Sequence, residues 1–366
     1  MHIILVGTKA QLVKMAPVIR AMEEERAPFL FVLTGQHAET MDDLISAFGI
    51  RAPDDYLVKS DEADTAPKLL GWLFRAWSAA RTKGYFNSEA SQKAKTIVVH
   101  GDTFSTLLGA VLGKRFGIKV VHVEAGLRSF NVLHPFPEEL VRIIVSRWSQ
   151  VHFAPDSWAM KNLRKSGAQG EIINTDANTL MDSLRFAVSK ETEIDESKDY
   201  AVVSLHRVEN LSKKARFDFI MRQVESMSEK CLLKFVMHPV TRKKLQKSGW
   251  RERFERNANI ELVERMDYVR FTALLSKARF LVTDGGSNQE EASYLGLPCL
   301  LMRRFTERQE GLGGNVVLSR YDVGVIGKFV AQHSTGKGFH CMSQNAIELN
   351  QKSSPSNVIA SYLRAL

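Results

Sequence analysis

The sequence predicts an α/β protein made of two doubly wound, Rossmann-like domains facing each other across a cleft. Short apolar runs alternate with longer amphipathic stretches from end to end, the pattern of strand–helix repeats on parallel sheets. Many of the runs are rich in Val, Ile and Leu without a polar alternation, as strands buried on both faces require. A length of 366 residues suits two domains of ordinary size.

In the first half, His2–Gly7, Phe29–Thr34, Thr96–His100, Lys119–Val123 and Val151–Ala154 read as strands. Ala10–Glu25, Phe104–Phe116 and Glu138–Ser149 have the length and pattern of the helices that cover them. In the second half the strands are Tyr200–Leu205, Leu232–Met237, Phe280–Thr283 and Cys299–Met302. The polar, acidic stretch Lys190–Asp199 ends where a fresh strand begins, and a hinge is expected near 175–185. The first domain is therefore expected to span 1–174 and the second 175–351. Pro355 suits the first turn of a last helix, about 352–366, packing back on the first domain.

Hydrophobic residues at 44% and charged residues at 25% exclude disorder, collagen and coiled coil. Lys plus Arg number 50 against 41 Asp plus Glu, a net charge of +9. Most of that excess lies in the second half, which favours an anionic partner: nucleic acid, a membrane surface or a phosphorylated small molecule. Cys231, Cys299 and Cys341 are widely spaced with no CxxC pair, against a disulfide framework or a cysteine zinc site. The ten histidines show neither HxxxH nor HExxH spacing, so no metal is expected. Met1–Thr8 reads as a buried strand entering a turn, with no cationic segment before it, so a signal peptide is not expected. No apolar run approaches the roughly 18 residues of a membrane span. A cytoplasmic location is expected.

Ligands of doubly wound sheets bind beyond the carboxyl ends of the strands, so the polar residues there are the candidates. Gly7-Thr8-Lys9 follows the first strand, with Lys14 in the helix after it. His100-Gly101-Asp102-Thr103 and His122-Val123-Glu124-Ala125-Gly126 follow two others, with Arg128 close behind. Asp102 reads as an acid/base group or as a helix N-cap. Glu124, straight after apolar residues, is costly to bury without a partner. Glu138-Glu139 after Pro137 reads as an acid-rich helix start. His206 and His238 read as phosphate ligands or as hydrogen-bonded structural residues. Thr283-Asp284-Gly285-Gly286-Ser287 leads from strand to helix, and free amides at such a helix start favour an anion. The basic stretch Arg242–Arg256 reads as a solvated helical face, and no nucleic-acid-binding motif accompanies it.

Taken together, HGDT (100–103), HVEAGLRS (122–129), PEE (137–139), HR (206–207), DGGSNQEEA (284–292) and TERQEG (306–311) resemble the UDP-N-acetylglucosamine 2-epimerase family, in its non-hydrolysing branch. GTKAQLVKMAPVI (7–19) resembles that family's GTRPEAIKMAPVI. The resemblance implies a fold of the glycosyltransferase-B type, a UDP-sugar bound between the domains, no cofactor and a homodimer. It also implies inversion at C2 by expulsion of UDP, loss of the C2 proton to give a 2-acetamidoglucal, and re-addition with protonation from the other face. By motif, Asp102, Glu124 and Glu138 would transfer protons, and Lys14 and His206 would lie at the diphosphate. Gly285, Gly286 and Ser287 would give amides to phosphate, Glu291 would bind the ribose and Phe271 would pack on uracil. Lys9, Arg128 and Arg308 are further UDP candidates.

The sequence departs from the family pattern in several places. Lys9-Ala10-Gln11 replaces Arg-Pro-Glu, where Lys9 keeps the arginine's charge but loses its bidentate geometry. Gly285-Gly286-Ser287 permutes Ser-Gly-Gly, Val141 replaces an Asn, and Asp176-Ala177-Asn178-Thr179 replaces a Gly-Asn-Thr turn. Some members bind a second, activating substrate molecule. Here Gln36, His37 and Arg207 are kept, but Glu39 and Trp72 stand where Gln and Arg are expected, so that regulation is expected to be absent. The competing readings are a hydrolysing epimerase releasing N-acetylmannosamine, a glycosyltransferase, and an inactive UDP-sugar-binding protein.

Overall fold

The computed structural model describes residues 1–36, 41–59, 66–87, 94–131, 137–190, 199–306, 308–334 and 353–366. His37, Glu39, Glu307 and Cys341 lie outside them, as does most of the acidic stretch before residue 199. The chain divides into two compact units, Met1–Ser183 with Ser353–Leu366, and Leu184–Lys352.

The first unit holds seven strands: β1 (His2–Val6), β2 (Phe29–Leu33), β3 (Asp55–Tyr56), β4 (Thr96–His100), β5 (Lys119–Val123), β6 (Val151–Ala154) and β7 (Glu171–Asn174). They lie in the order β3-β2-β1-β4-β5-β6-β7, every pair parallel. The second unit repeats the plan with β8 (Tyr200–Ser204), β9 (Leu232–Met237), β10 (Ile260–Glu264), β11 (Leu281–Thr283), β12 (Cys299–Leu301) and β13 (Val316–Leu318). Their order is β10-β9-β8-β11-β12-β13, again all parallel. The expected α/β class, with two doubly wound parallel sheets, is therefore observed, and the nine expected strands are present. Four more, β3, β7, β10 and β13, stand at the edges of the two sheets. In each sheet the strand order reverses beside the first strand, next to β4 and next to β11, and such a reversal opens a crevice at the carboxyl ends.

Local chemistry fixes how the first crevice is shaped. The helix Lys9–Glu24 starts with a capping box: Thr8 accepts from the Gln11 amide, and Gln11 Oε1 accepts from the amides of Thr8 and Gly7 at 3.2 and 3.0 Å. Gln11 Nε2 donates to the His100 carbonyl at 2.7 Å and to Thr106 at 3.0 Å. One amide side chain thus ties the end of β1 to the end of β4, and a carboxylate could not make those two donations. Pro17 lies inside the same helix and has no N–H for the carbonyl four residues back. That carbonyl, of Val13, accepts instead from the Ser183 hydroxyl at 2.6 Å.

The helix Pro355–Ala365 completes the first unit. Asp182 accepts from Ser354 Oγ and the Ser356 amide at 2.8 and 2.9 Å, Arg364 pairs with Glu25 at 2.6 Å, and the Tyr362 and Phe153 rings meet edge to face. Among the described residues no helix is long and apolar enough to cross a membrane. Arg242, Arg251 and Arg253 of the basic stretch pair with Glu264, Glu255 and Glu225, which accords with a solvated helical face.

At the end of β5, His122 is buried and its Nε2 lies 2.8 Å from the Gly101 carbonyl. Burial pushes this imidazole down to about 3 from the ordinary 6.5, so the folded chain binds fewer protons than the unfolded one between those values. Stability is then fully present above about pH 6.5 and declines as the pH falls towards 3. Denaturant titrations at pH 7 and pH 4.5 are expected to show this loss. A His122→Gln chain, which keeps a donor but does not titrate, is expected to lose less.

Candidate functional site

In the first unit the expected residues Lys14 and Glu124 come together. Glu124 follows β5 in a left-handed backbone conformation, φ 62°, which a side chain of this size adopts at a cost of about 1 kcal/mol or more. That conformation turns its carboxylate back over the strand ends. Lys14 reaches it from the second turn of the first helix, and the Asn178 amide donates to the same oxygen. The side chains of Lys14 and Glu124 are only 4% and 6% exposed. A third buried group, His100, places its Nε2 3.9 Å from that oxygen. Asn178 sits in the altered turn after β7, where its own Oδ1 accepts from the Leu180 amide at 3.0 Å.

Asp102 is not the cap of the following helix, which is Thr103. Its carboxylate instead meets Arg142 Nη2 at 2.5 Å. Arg142 is buried and also faces Glu139 at 3.4 Å, and Glu139, wholly buried, takes the Arg128 Nε at 2.6 Å and the Ser129 amide at 3.0 Å. The acid-rich helix start therefore divides its labour. Glu139 is an internal counter-ion between two arginines: burial pushes its carboxyl up, but the Ser129 amide together with Arg128 and Arg142 outweighs that and holds it below the usual carboxylate range. Glu138 begins the helix, and its Oε2 is shielded from solvent without a hydrogen-bond donor among the described residues. Lys9, half-buried, is the first residue of the helix that carries Lys14.

In the second unit the crevice lies between the ends of β8 and β11. Asp284, wholly buried, accepts from the His206 and Arg207 amides at 2.9 and 3.1 Å and from Asn210 Nδ2 at 2.9 Å. The helix Gly286–Leu295 then starts with no capping side chain, which leaves its first amides to an anion. Gly285 is required here: a Cβ would lie 2.9 Å from the His206 ring and 2.7 Å from Asn288 Oδ1. Ser287 is in the first turn of that helix, beside the His206 ring's neighbour Gly285. His206 stacks on His238 with ring centroids 4.3 Å apart. Burial lowers both imidazoles, His238 to about 3, while Asp284 acts on His206 in the opposite sense.

Glu291 is buried and accepts from Asn288 Nδ2 at 2.8 Å. Tyr268, on the helix that bears the half-buried Phe271, lies close enough that Glu291 adds to the upward push of burial on its phenol. Arg308 pairs with buried Glu290. Gln289 takes Thr306 Oγ1 at 2.8 Å and donates to the carbonyls of Arg308 and Glu310, so the 284–292 and 306–311 motifs form one body. Arg142 and Asn210 were not singled out from the sequence, and Gln11, Asn178 and Asp284 were named there only as parts of segments, without a role. Only their placement beside charged strand-end residues marks them.

The family model described as UDP-N-acetylglucosamine 2-epimerase matches residues 20–359. The chain belongs to this family. Among its relatives, the UDP-N-acetylglucosamine 2-epimerase of Methanococcus maripaludis is 31% identical over 331 residues, 85% of each chain. That of Campylobacter jejuni is 30% identical, over 86% of this chain and 84% of the other. Among solved structures, the Methanocaldococcus jannaschii UDP-GlcNAc 2-epimerase in complex with UDP-GlcNAc and UDP superposes with a TM-score of 0.82 at 26% identity, over 100% of both chains. The Neisseria meningitidis enzyme bound to UDP-GlcNAc gives 0.79 at 26%, again over 100% of both. The family is one of isomerases, and its members share the glycosyltransferase-B type of fold with this chain.

The Lys14–Glu124 pair makes a stability prediction that does not depend on any reaction. Removing the cation strands a buried carboxylate, at a cost of about 3 kcal/mol or more. Lys14→Met is expected to lower stability by that order in denaturant titration, and Lys14→Met with Glu124→Gln is expected to recover part of the loss.

Proposed function

We propose that the chain is a non-hydrolysing epimerase that interconverts UDP-GlcNAc and UDP-ManNAc, or a closely related pair of UDP-2-acetamido sugars, for surface-polysaccharide synthesis. One observation carries this reading. Two carboxylates, Asp102 and Glu124, stand at the ends of the neighbouring strands β4 and β5, each held by its own buried cation, Arg142 and Lys14.

The chemistry explains the arrangement. The C2 proton of a UDP-sugar is not acidic while C1 carries only a sugar-ring oxygen and a phosphate oxygen. As the C1–O bond breaks, its electron pair leaves with UDP and C1 gains oxocarbenium character. A carboxylate can then take the C2 proton, whose C–H electrons form the C1=C2 bond of the glucal. Return of UDP to C1, with a proton delivered to the opposite face of C2, inverts that centre and leaves atoms and charge balanced. The reaction therefore needs an acid/base group for each face and cationic or amide donors for the leaving diphosphate. Asp102, Glu124 and Glu138 are assigned the proton transfers. Lys14, His206 and the amides of Gly285, Gly286 and Ser287 are assigned to the diphosphate. Glu291 is assigned to the ribose and Phe271 to uracil, with Lys9, Arg128 and Arg308 in support. Arg128 and Arg308 would act through the frame they make with Glu139 and Glu290.

The segment Lys14-Met15-Ala16-Pro17 and the complete Thr306-Glu307-Arg308 motif favour the non-hydrolysing form over release of free sugar. Incubation with UDP-GlcNAc in heavy water, followed by proton NMR, is expected to show deuterium entering C2 with UDP still attached. Free N-acetylmannosamine would identify hydrolysis instead, and no exchange would identify a binding protein. Asp102→Asn and Glu124→Gln are each expected to lower kcat by about 10²- to 10⁴-fold, and full activity in both would overturn the assignment.

Activation by a second substrate molecule is expected to be absent. Trp72, at a position where that regulation needs a cation, is buried in the first unit's core and donates its indole N–H to the Thr34 carbonyl at 3.0 Å. UDP-ManNAc alone should therefore be epimerised at full rate, and a requirement for added UDP-GlcNAc would refute this.

A further inference from the structure

A belt of hydrogen bonds crosses the carboxyl edge of the second sheet and ends at His206. Tyr321, just beyond β13, donates its hydroxyl to Asn210 Oδ1 at 2.7 Å. Asn210 is 1% exposed and uses its Nδ2 on two acceptors, Asp284 Oδ2 at 2.9 Å and the Met302 carbonyl at 3.0 Å. Neither acceptor can donate, so the amide has one orientation and its Oδ1 must face Tyr321. Asp284 in turn accepts the His206 and Arg207 amides, with Oδ1 3.6 Å from His206 Nδ1. The ends of β13, β12, β11 and β8 are thereby joined through Tyr321, Met302, Asp284 and His206.

The outer end of the belt is set by strained backbone. Arg320 and Tyr321 are consecutive non-glycine residues in the left-handed region, φ 50° and 63°. Each such residue is strained, and two in a row persist only where the surroundings demand them. Here the turn is held by Arg320 N to the Arg303 carbonyl at 3.0 Å and by Tyr321 N to Ser319 Oγ at 3.2 Å, and the Arg216 guanidinium lies 3.9 Å over the phenol ring. The strain aims the hydroxyl at Asn210.

We propose that Tyr321 is a positioning residue for His206, acting through Asn210 and Asp284 and not by touching the substrate. The inference rests on the assignment of His206 to the diphosphate. Without the Tyr321 hydroxyl, Asn210 Oδ1 is left buried without a donor, and that penalty loosens the amide that donates to Asp284. The His206 main chain and the carboxylate beside its ring then gain freedom at the point where the leaving group must be met.

The test is a double-mutant cycle with Tyr321→Phe and His206→Asn. Tyr321→Phe is expected to lower kcat on the order of tenfold, since small misplacements of reacting groups have large rate effects, with the Kd for UDP within about twofold. In the His206→Asn background the same change is expected to have no further effect, because residues acting as one unit are not additive. An independent reading comes from the His206 ring, followed by NMR of ¹³C-histidine-labelled protein. Burial, Arg207 and Arg265 lower this ring and Asp284 raises it, and the stacked His238 faces it from just beyond β9. Loosening Asp284 should therefore move its titration to lower pH in Tyr321→Phe. Full activity of Tyr321→Phe, or an equal loss in both backgrounds, or an unmoved His206 titration, overturns the proposal. Full activity of His206→Asn alone would instead overturn the assignment of His206.

Discussion

A carboxylate taken out of water needs a counter-charge and donors for its oxygens, and in the first unit that demand at Glu124 governs what surrounds it. Lys14 supplies the charge and Asn178 a donor. To deliver Lys14, the first helix must start where it does, and the Thr8–Gln11 capping box fixes that start while reaching across to the His100 carbonyl. To deliver Asn178, the turn after β7 must return to the strand ends. The backbone of Glu124 itself stands in a conformation that nothing local favours. These features are separate in sequence but answer to one electrostatic need.

The second unit solves the same problem with different atoms. Its buried strand-end carboxylate, Asp284, is satisfied instead by two main-chain amides and an asparagine. Both sheets place this polar apparatus where the strand order turns back, because only there do the loops diverge and leave the strand ends open. In the first unit the apparatus fixes side chains; in the second it fixes main chain, at His206 and Arg207, next to an uncapped helix start.

The central strands were legible in the sequence because burial on both faces writes itself as unbroken Val/Ile/Leu runs, as in β1, β4 and β8. The strands that escaped notice are edge strands. Asp55–Tyr56 and Glu171–Asn174 are short and largely outside the core, and Ile260–Glu264 is buried mainly at its first residue, so none needs an apolar run. The charged residues of the site were legible as motifs. Their supports were not, since Gln11, Asn178, Arg142 and Asn210 are ordinary polar residues whose meaning comes from partners 40 or more positions away, such as Arg142 with Asp102. Asp102 shows the limit from the other side: a strand-end acid taken alone reads more readily as a helix cap, and it is Thr103 as the cap and Arg142 opposite that set that reading aside.

The last helix has a consequence for how the protein comes into being. Residues 353–366 belong to the first unit, yet they leave the ribosome after all of the second. Until they arrive, the Glu25 carboxylate lacks Arg364 and Phe153 lacks Tyr362, and the first helix, which carries Lys14, lacks its covering neighbour. The half synthesised first is thus the half that can finish last, while the second, a single unbroken segment of chain, can close on its own as it emerges. The helix Pro355–Ala365 works as a clasp on a unit that has waited for it.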